Sequence, residues 1–149
     1  MNEQLLLQNQ LCFPLYAASR LVIRAYQPFL DELGITYPQY LVMMVLWEKD
    51  EITVNEIVDR LLLQTNTVTP MLQRMEKMGL IERRKAEKDK REVIIILTTR
   101  GKAMQAQAND IPQKLVATLH RQSSEAVDVQ KLEEMKGWLY ALIHANKDL

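Results

Sequence analysis

A single thiol, Cys12, stands two residues before Pro14 near the start of the chain. The thiolate is the nucleophile, so a cysteine does chemistry only where local potential favours its charge, and a helix N-terminus is one such place. With no second cysteine, an intramolecular disulfide is excluded. His120 and His144 are too few and too far apart in sequence for a structural zinc site. No His/Asp partner motif or glycine-rich phosphate loop accompanies the thiol, so neither enzymatic turnover nor a metal or cofactor is expected. The bland alternative is an inert, buried cysteine, the usual fate of a lone cytosolic thiol.

A second group of residues has the chemistry of nucleic-acid contact. Thr65, Asn66, Thr67, Thr69 and Gln73, with Arg74 beside them, supply hydroxyls, amides and a guanidinium along one short stretch. Asn and Gln can pair bidentately with adenine, and threonine methyls can meet thymine methyls. Further on, Arg83, Lys85, Lys88 and Lys90 are suited to neutralising phosphates. Arg91 suits insertion into a minor groove, with Asp89 two positions earlier as the carboxylate that aims it. The chain is neutral, with 19 basic and 19 acidic residues, yet the charge is uneven. Gln73 to Lys102 carries ten basic against five acidic residues, net +5, and leaves the rest at −5. The alternative to a polyanion-binding stripe is a solvated charged hairpin.

These residues need elements to hold them. Apolar positions at Leu11, Leu15, Ala18, Val22, Phe29 and Leu33 mark one helix face, closed by Gly34. Pro14 fixes the start, and Phe13 before it is expected to avoid helical angles, which puts Cys12 at or just before the N-terminus. A second helix opens at Tyr37-Pro38 and stops near Lys49-Asp50. Thr53 and Glu56 have capping-box spacing for a short third helix. Val68, Met71, Leu72, Met75 and Met78 then mark a fourth helix, with Asn66 or Thr67 as its N-cap so that Pro70 falls close to the first turn. The period changes next: Leu80 to Arg84 and Glu92 to Leu97 read as two strands joined by a basic tip without glycine. Thr98-Thr99 caps a long helix to about Leu119, bent at Pro112. Ser123-Ser124 with Glu125 and Asp128 starts the last helix, which carries Val127, Leu132, Met135, Leu139, Leu142 and Ile143.

The expected fold is mainly α with a small β-hairpin wing, one domain over 1–149. Residues 35–97 make a winged helix-turn-helix, and 11–34 with 98–147 carry apolar stripes suited to burial against a second copy of the chain. The longest apolar run, Leu41 to Trp47, is far short of the ~20 residues that cross a bilayer. The N-terminus lacks the flank and cleavage site of a signal peptide, so a cytoplasmic location is expected.

Several segments resemble the MarR family of winged-helix regulators: Thr69-Pro70-Met71-Leu72-Gln73-Arg74-Met75-Glu76, Gly79-Leu80-Ile81, and Asp89-Lys90-Arg91 ahead of Leu97-Thr98. Leu11-Cys12-Phe13-Pro14-Leu15-Tyr16 and Ile35-Thr36-Tyr37-Pro38-Gln39-Tyr40 resemble its organic hydroperoxide-responsive repressors, here of a one-cysteine type. The resemblance implies a homodimer that grips a pseudo-palindromic double-stranded DNA operator until an organic hydroperoxide oxidises the N-terminal cysteine. It assigns sensing to Cys12 and thiolate hydrogen bonds from the partner subunit to Tyr26 and Tyr37. Tyr16 and Tyr40 are weaker candidates, because their faces are expected to turn inward. Lacking the second cysteine of some relatives, oxidised Cys12 would be captured by a small-molecule thiol, cyclise onto a backbone nitrogen or proceed to sulfinic acid. The competing reading within the family is a repressor released by a small aromatic ligand, with Cys12 inert.

Overall fold

The computed structural model describes residues 2–123 and 128–148. Among the described residues, seven α-helices and three short strands follow in the order α1 (Cys12–Leu33), α2 (Tyr37–Glu48), β1 (Ile52–Thr53), α3 (Val54–Leu61), α4 (Thr65–Lys77), β2 (Ile81–Lys85), β3 (Val93–Leu97), α5 (Thr99–Ala108), α6 (Ile111–Gln122) and α7 (Val129–Asn146). Two 3-10 turns precede α1. The winged helix-turn-helix expected from the period changes is present.

Local chemistry explains most boundaries. Gly34 takes a left-handed φ of 69° and closes α1, its N–H donating to the Asp31 and Leu30 carbonyls. Thr53 accepts the Glu56 N–H while the Glu56 carboxylate accepts the Thr53 N–H, so α3 begins on the expected capping box. The same device, unforeseen from sequence, starts α2: Thr36 Oγ1 accepts from Gln39 N and Gln39 Oε1 accepts from Thr36 N.

Three boundaries differ from expectation. Leu11 already has helical angles (φ −68°, ψ −41°), so the turn is set before Cys12 and Phe13 lies inside α1 despite the proline that follows it. Helix α4 begins at Thr65, because extended Gln64 is its N-cap and the Gln64 carbonyl accepts the N–H groups of Thr67 and Val68. Neither Asn66 nor Thr67 is the cap. Pro70 is thus interior, and the Asn66 carbonyl loses its usual donor but sits on an exposed residue where water can reach it. The long helix after the wing is two helices: α5 ends at Ala108, and Pro112 falls in the first turn of α6, where a missing N–H costs nothing. The last helix is capped by Asp128, whose carboxylate accepts from Gln130 and Lys131. The expected contributions of Ser124, Glu125 and Val127 lie outside the described residues.

The sheet has three antiparallel strands in the order β1-β3-β2. The two-residue β1 adds Ile52 opposite Ile95 and Thr53 opposite Ile94, while the wing hairpin pairs Ile81 with Leu97 through Lys85 with Val93. One core joins these elements: Leu30 from α1, Val42, Met43 and Leu46 from α2, Ile57 from α3, Val68, Leu72 and Met75 from α4, and Ile81 and Ile95 from the sheet are fully buried. By contrast, Leu30 is the only buried residue of α1, and α7 buries none of its described residues. Leu11 just before α1 and Phe13, Tyr16 and Leu21 within it, with Met135, Trp138, Tyr140, Leu142 and Ile143 of α7, are exposed.

Candidate functional site

Helix α4 turns Val68, Met71, Leu72 and Met75 into the core. Its opposite face and first turn leave Thr65, Asn66, Thr67, Gln73 and Arg74 exposed and Thr69 half-buried. All six expected base-reading residues therefore occupy one accessible surface. A helix presenting such a face beside a β-hairpin has the arrangement in which the second helix of a helix-turn-helix enters a major groove.

The wing tip brings Asp89 and Arg91 together. Asp89 Oδ1 accepts the Arg91 backbone N–H at 3.0 Å and its Nε at 3.4 Å, and the Arg91 side chain is 94% exposed. Lys85, Lys88 and Lys90 are exposed around it. Arg83 is held differently. Glu76 of α4 accepts both the Arg83 backbone N–H (3.0 Å) and its Nε (3.3 Å), so this guanidinium braces the wing against α4.

Cys12 is exposed and is the first residue of α1, at the positive end of that helix. Tyr26, farther along α1, and Tyr37, the first residue of α2, lie with ring centroids 5.0 Å apart. Fourteen residues of helix separate Cys12 from Tyr26, about 21 Å along the axis at 1.5 Å per residue. The thiol and that phenol of one chain therefore cannot touch. Tyr40 completes an aromatic cluster at 6.0 Å from Tyr26 and 6.3 Å from Tyr37, and its other edge meets Trp47 at 6.4 Å. Tyr40 is buried, as expected of an inward-facing residue. Tyr16 is not: it is exposed, with the Arg20 guanidinium 4.9 Å above its ring.

Burial, then the neighbouring Tyr37 and Tyr40, pushes the Tyr26 phenol up to about 12. Burial also raises Tyr37, and raises Tyr40 together with the Tyr37 phenol beside it. At neutral pH all three keep their protons and are donors.

Sequence reasoning missed Gln39. It is buried, and its side-chain amide spans from the Thr36 cap to Met78, the C-cap of α4. The Thr36-x-x-Gln39 spacing matches the capping-box pattern read at Thr53 and Glu56, so half of its role was available from sequence.

The exposed helix, the braced wing and the three-stranded sheet define a winged-helix DNA-binding regulator. The chain belongs to the family described as transcriptional regulator SarA/Rot, which it matches over residues 24–111, and is of the MarR winged-helix type. It is 45% identical over 141 residues to the organic hydroperoxide resistance transcriptional regulator of Bacillus subtilis, covering 95% of this chain and 92% of that one. The solved structure of AbfR of Staphylococcus epidermidis is 36% identical with a TM-score of 0.74, covering 98% of this chain and 95% of that chain. Reduced AbfR bound to DNA is 39% identical with a TM-score of 0.72, covering 95% and 98%. No described helix is long and apolar enough to cross a membrane.

Proposed function

We propose that the protein is a cytoplasmic, homodimeric repressor that holds a pseudo-palindromic double-stranded operator and releases it when an organic hydroperoxide oxidises Cys12. The observation that carries this reading is the separation of the thiol from the Tyr26 phenol along one helix. Cys12 is an exposed thiol at a helix N-terminus, and Tyr26, which packs its protonated phenol near that of Tyr37, lies about 21 Å along α1 from it, so contact between that phenol and the thiol needs a second copy. The large apolar side chains left exposed on α1 and α7 support such a pairing, because a second copy would take them out of water. Residues 11–34 and 98–147 supply the dimer contacts, and 35–97 the DNA-binding unit.

In the sensing step the Cys12 thiolate attacks the distal oxygen of the hydroperoxide. An S–O bond forms as the O–O bond breaks, the alkoxide leaves with a proton as an alcohol, and sulfur is oxidised by two electrons to sulfenic acid. A small-molecule thiol can then condense with it, losing water and leaving a mixed disulfide. Either product replaces the thiolate as acceptor for the tyrosine hydroxyls. The interface must repack, and the two recognition helices lose the spacing of about one DNA turn, roughly 34–36 Å, that the operator requires.

On the DNA, Thr65, Asn66, Thr67, Thr69, Gln73 and Arg74 read base edges. Arg91, aimed by Asp89, enters the minor groove, and Lys85, Lys88 and Lys90 neutralise phosphates, with Arg83 bracing the wing close to the backbone.

The test is Cys12→Ser. This variant binds the operator as the wild-type protein does and stays bound after cumene hydroperoxide, whereas the wild-type protein dissociates. Release of Cys12→Ser by the peroxide, or release of the wild-type protein by a phenolic ligand with no peroxide response, overturns the reading.

A further inference from the structure

Helix α2 touches the recognition unit at a point that starts from the tyrosine cluster. Its first residue, Tyr37, lies between the two halves of the capping box formed by Thr36 and Gln39. Gln39 is 6% exposed and is the only buried polar residue among those described. Its Oε1 accepts from Thr36 N at 3.0 Å, and its Nε2 donates to Met78 Sδ at 3.8 Å, 39 residues away in sequence. Met78 is the C-cap of α4, where its N–H donates to the Arg74 carbonyl and its own carbonyl accepts Arg100 Nη1 at 2.7 Å. A single amide thus connects the turn that carries Tyr37 with the end of the DNA-reading helix.

A buried amide with one end committed to the cap of its own helix and the other to the end of α4 is costly to misalign, because either end left unpaired keeps its full desolvation penalty. Its sulfur partner is a weak acceptor, so the contact can shift by a fraction of an ångström without breaking the core. Both properties suit a part that transmits movement. We propose that Gln39 is the positioning residue that couples the Tyr26–Tyr37 pair to α4: displacement of Tyr37 rotates the first turn of α2, and the Gln39 amide carries that rotation to Met78 and the C-terminal end of the recognition helix. This rests on the sensing function proposed above. The far end of α2 is held by Trp47 Nε1, which donates to the Gly101 carbonyl at 3.0 Å in the first turn of α5, so the helix has a fixed end about which its first turn can pivot.

The experiment compares wild-type protein, Met78→Leu, Gln39→Leu and the double variant. Leucine for methionine conserves volume and removes only the sulfur acceptor. Operator affinity is measured before and after one equivalent of cumene hydroperoxide, with loss of the Cys12 thiol followed in parallel. In each variant the thiol is expected to be consumed at the wild-type rate and the reduced form to bind within about threefold of wild type. The ratio of oxidised to reduced Kd is expected to fall about fivefold or more. The double variant should do no worse than either single one, because both changes break the same link.

A purely structural role would weaken both redox forms together and leave the ratio unchanged. Thermal melting checks folding, and Met78→Leu, which leaves the capping box intact, carries the test should Gln39→Leu not fold. A wild-type ratio in Met78→Leu overturns the link while leaving peroxide sensing in place. If the wild-type protein itself keeps its DNA after Cys12 is oxidised, the sensing reading fails and this inference fails with it.

Discussion

The Asp89 carboxylate fixes Arg91 at the wing tip through the backbone N–H and the guanidinium of the same residue. An exposed arginine samples many rotamers, and a carboxylate two residues away limits that freedom before DNA arrives. Arg91→Ala should therefore weaken operator binding about tenfold, and Asp89→Ala should do so by a smaller factor because the guanidinium remains but is no longer aimed. Fluorescence anisotropy with a labelled operator duplex gives both values. Equal affinity in all three proteins would remove the wing tip from the interface.

Thr67 and Gln73 stand on the exposed face of α4, which leads to a different signature. Alanine at either position should reduce discrimination between operator and base-substituted duplexes by about 1–3 kcal/mol, with a smaller loss against non-specific DNA. Lys88→Ala should lower affinity for every duplex alike and reduce the salt slope by about 1. Competition titrations over a range of salt separate the two behaviours.

The tyrosine cluster makes stability sensitive to alkali. Tyr26 ionises near 12 in the folded protein and near 10 when unfolded. Between those values the unfolded chain holds fewer protons, so stability is intact below pH 10 and declines as pH rises through 10 towards 12. Urea midpoints measured at pH 9 and pH 11 should fall, and Tyr26→Phe should reduce the drop. A variant with the same decline as wild type would place the alkaline transition elsewhere.

Gly101 packs its α-carbon against the start of β2. A methyl group there would lie 2.2 Å from the Leu80 carbonyl oxygen, a backbone atom that cannot step aside. Gly101→Ala should cost about 1–3 kcal/mol and, because α5 follows the wing directly, should also weaken DNA binding. Chemical denaturation that finds the variant as stable as wild type would show that α5 can shift freely.

Side-chain spacing carried most of the architecture. Alternating apolar residues gave β2 and β3, and the capping pair Thr53–Glu56 placed α3 where it is found. The misplaced helix start near Pro70 has a physical cause. Proline excludes itself from helix interiors only by about the value of one hydrogen bond and a clash, which tertiary packing of Val68, Met71 and Leu72 outweighs at Pro70. At Pro112 the same residue instead opens a helix. Strand β1 was beyond reach, because two residues have no period, and its pairing with Ile94 and Ile95 depends on chain more than 40 positions away. In the candidate site, the exposed polar face of α4 and the Asp89–Arg91 contact followed from residue type and order. The bridge from Gln39 to Met78 did not, since nothing local relates a glutamine to a methionine 39 residues later.

Thr53 holds two offices at once, pairing with Ile94 in the sheet and capping α3. The hairpin is therefore no detachable finger: exchanging the segment 81–97 for that of a relative would break a seam whose other edge lies at Ile52 and Thr53. A chimera that keeps its reading head intact has to import those two residues with the graft.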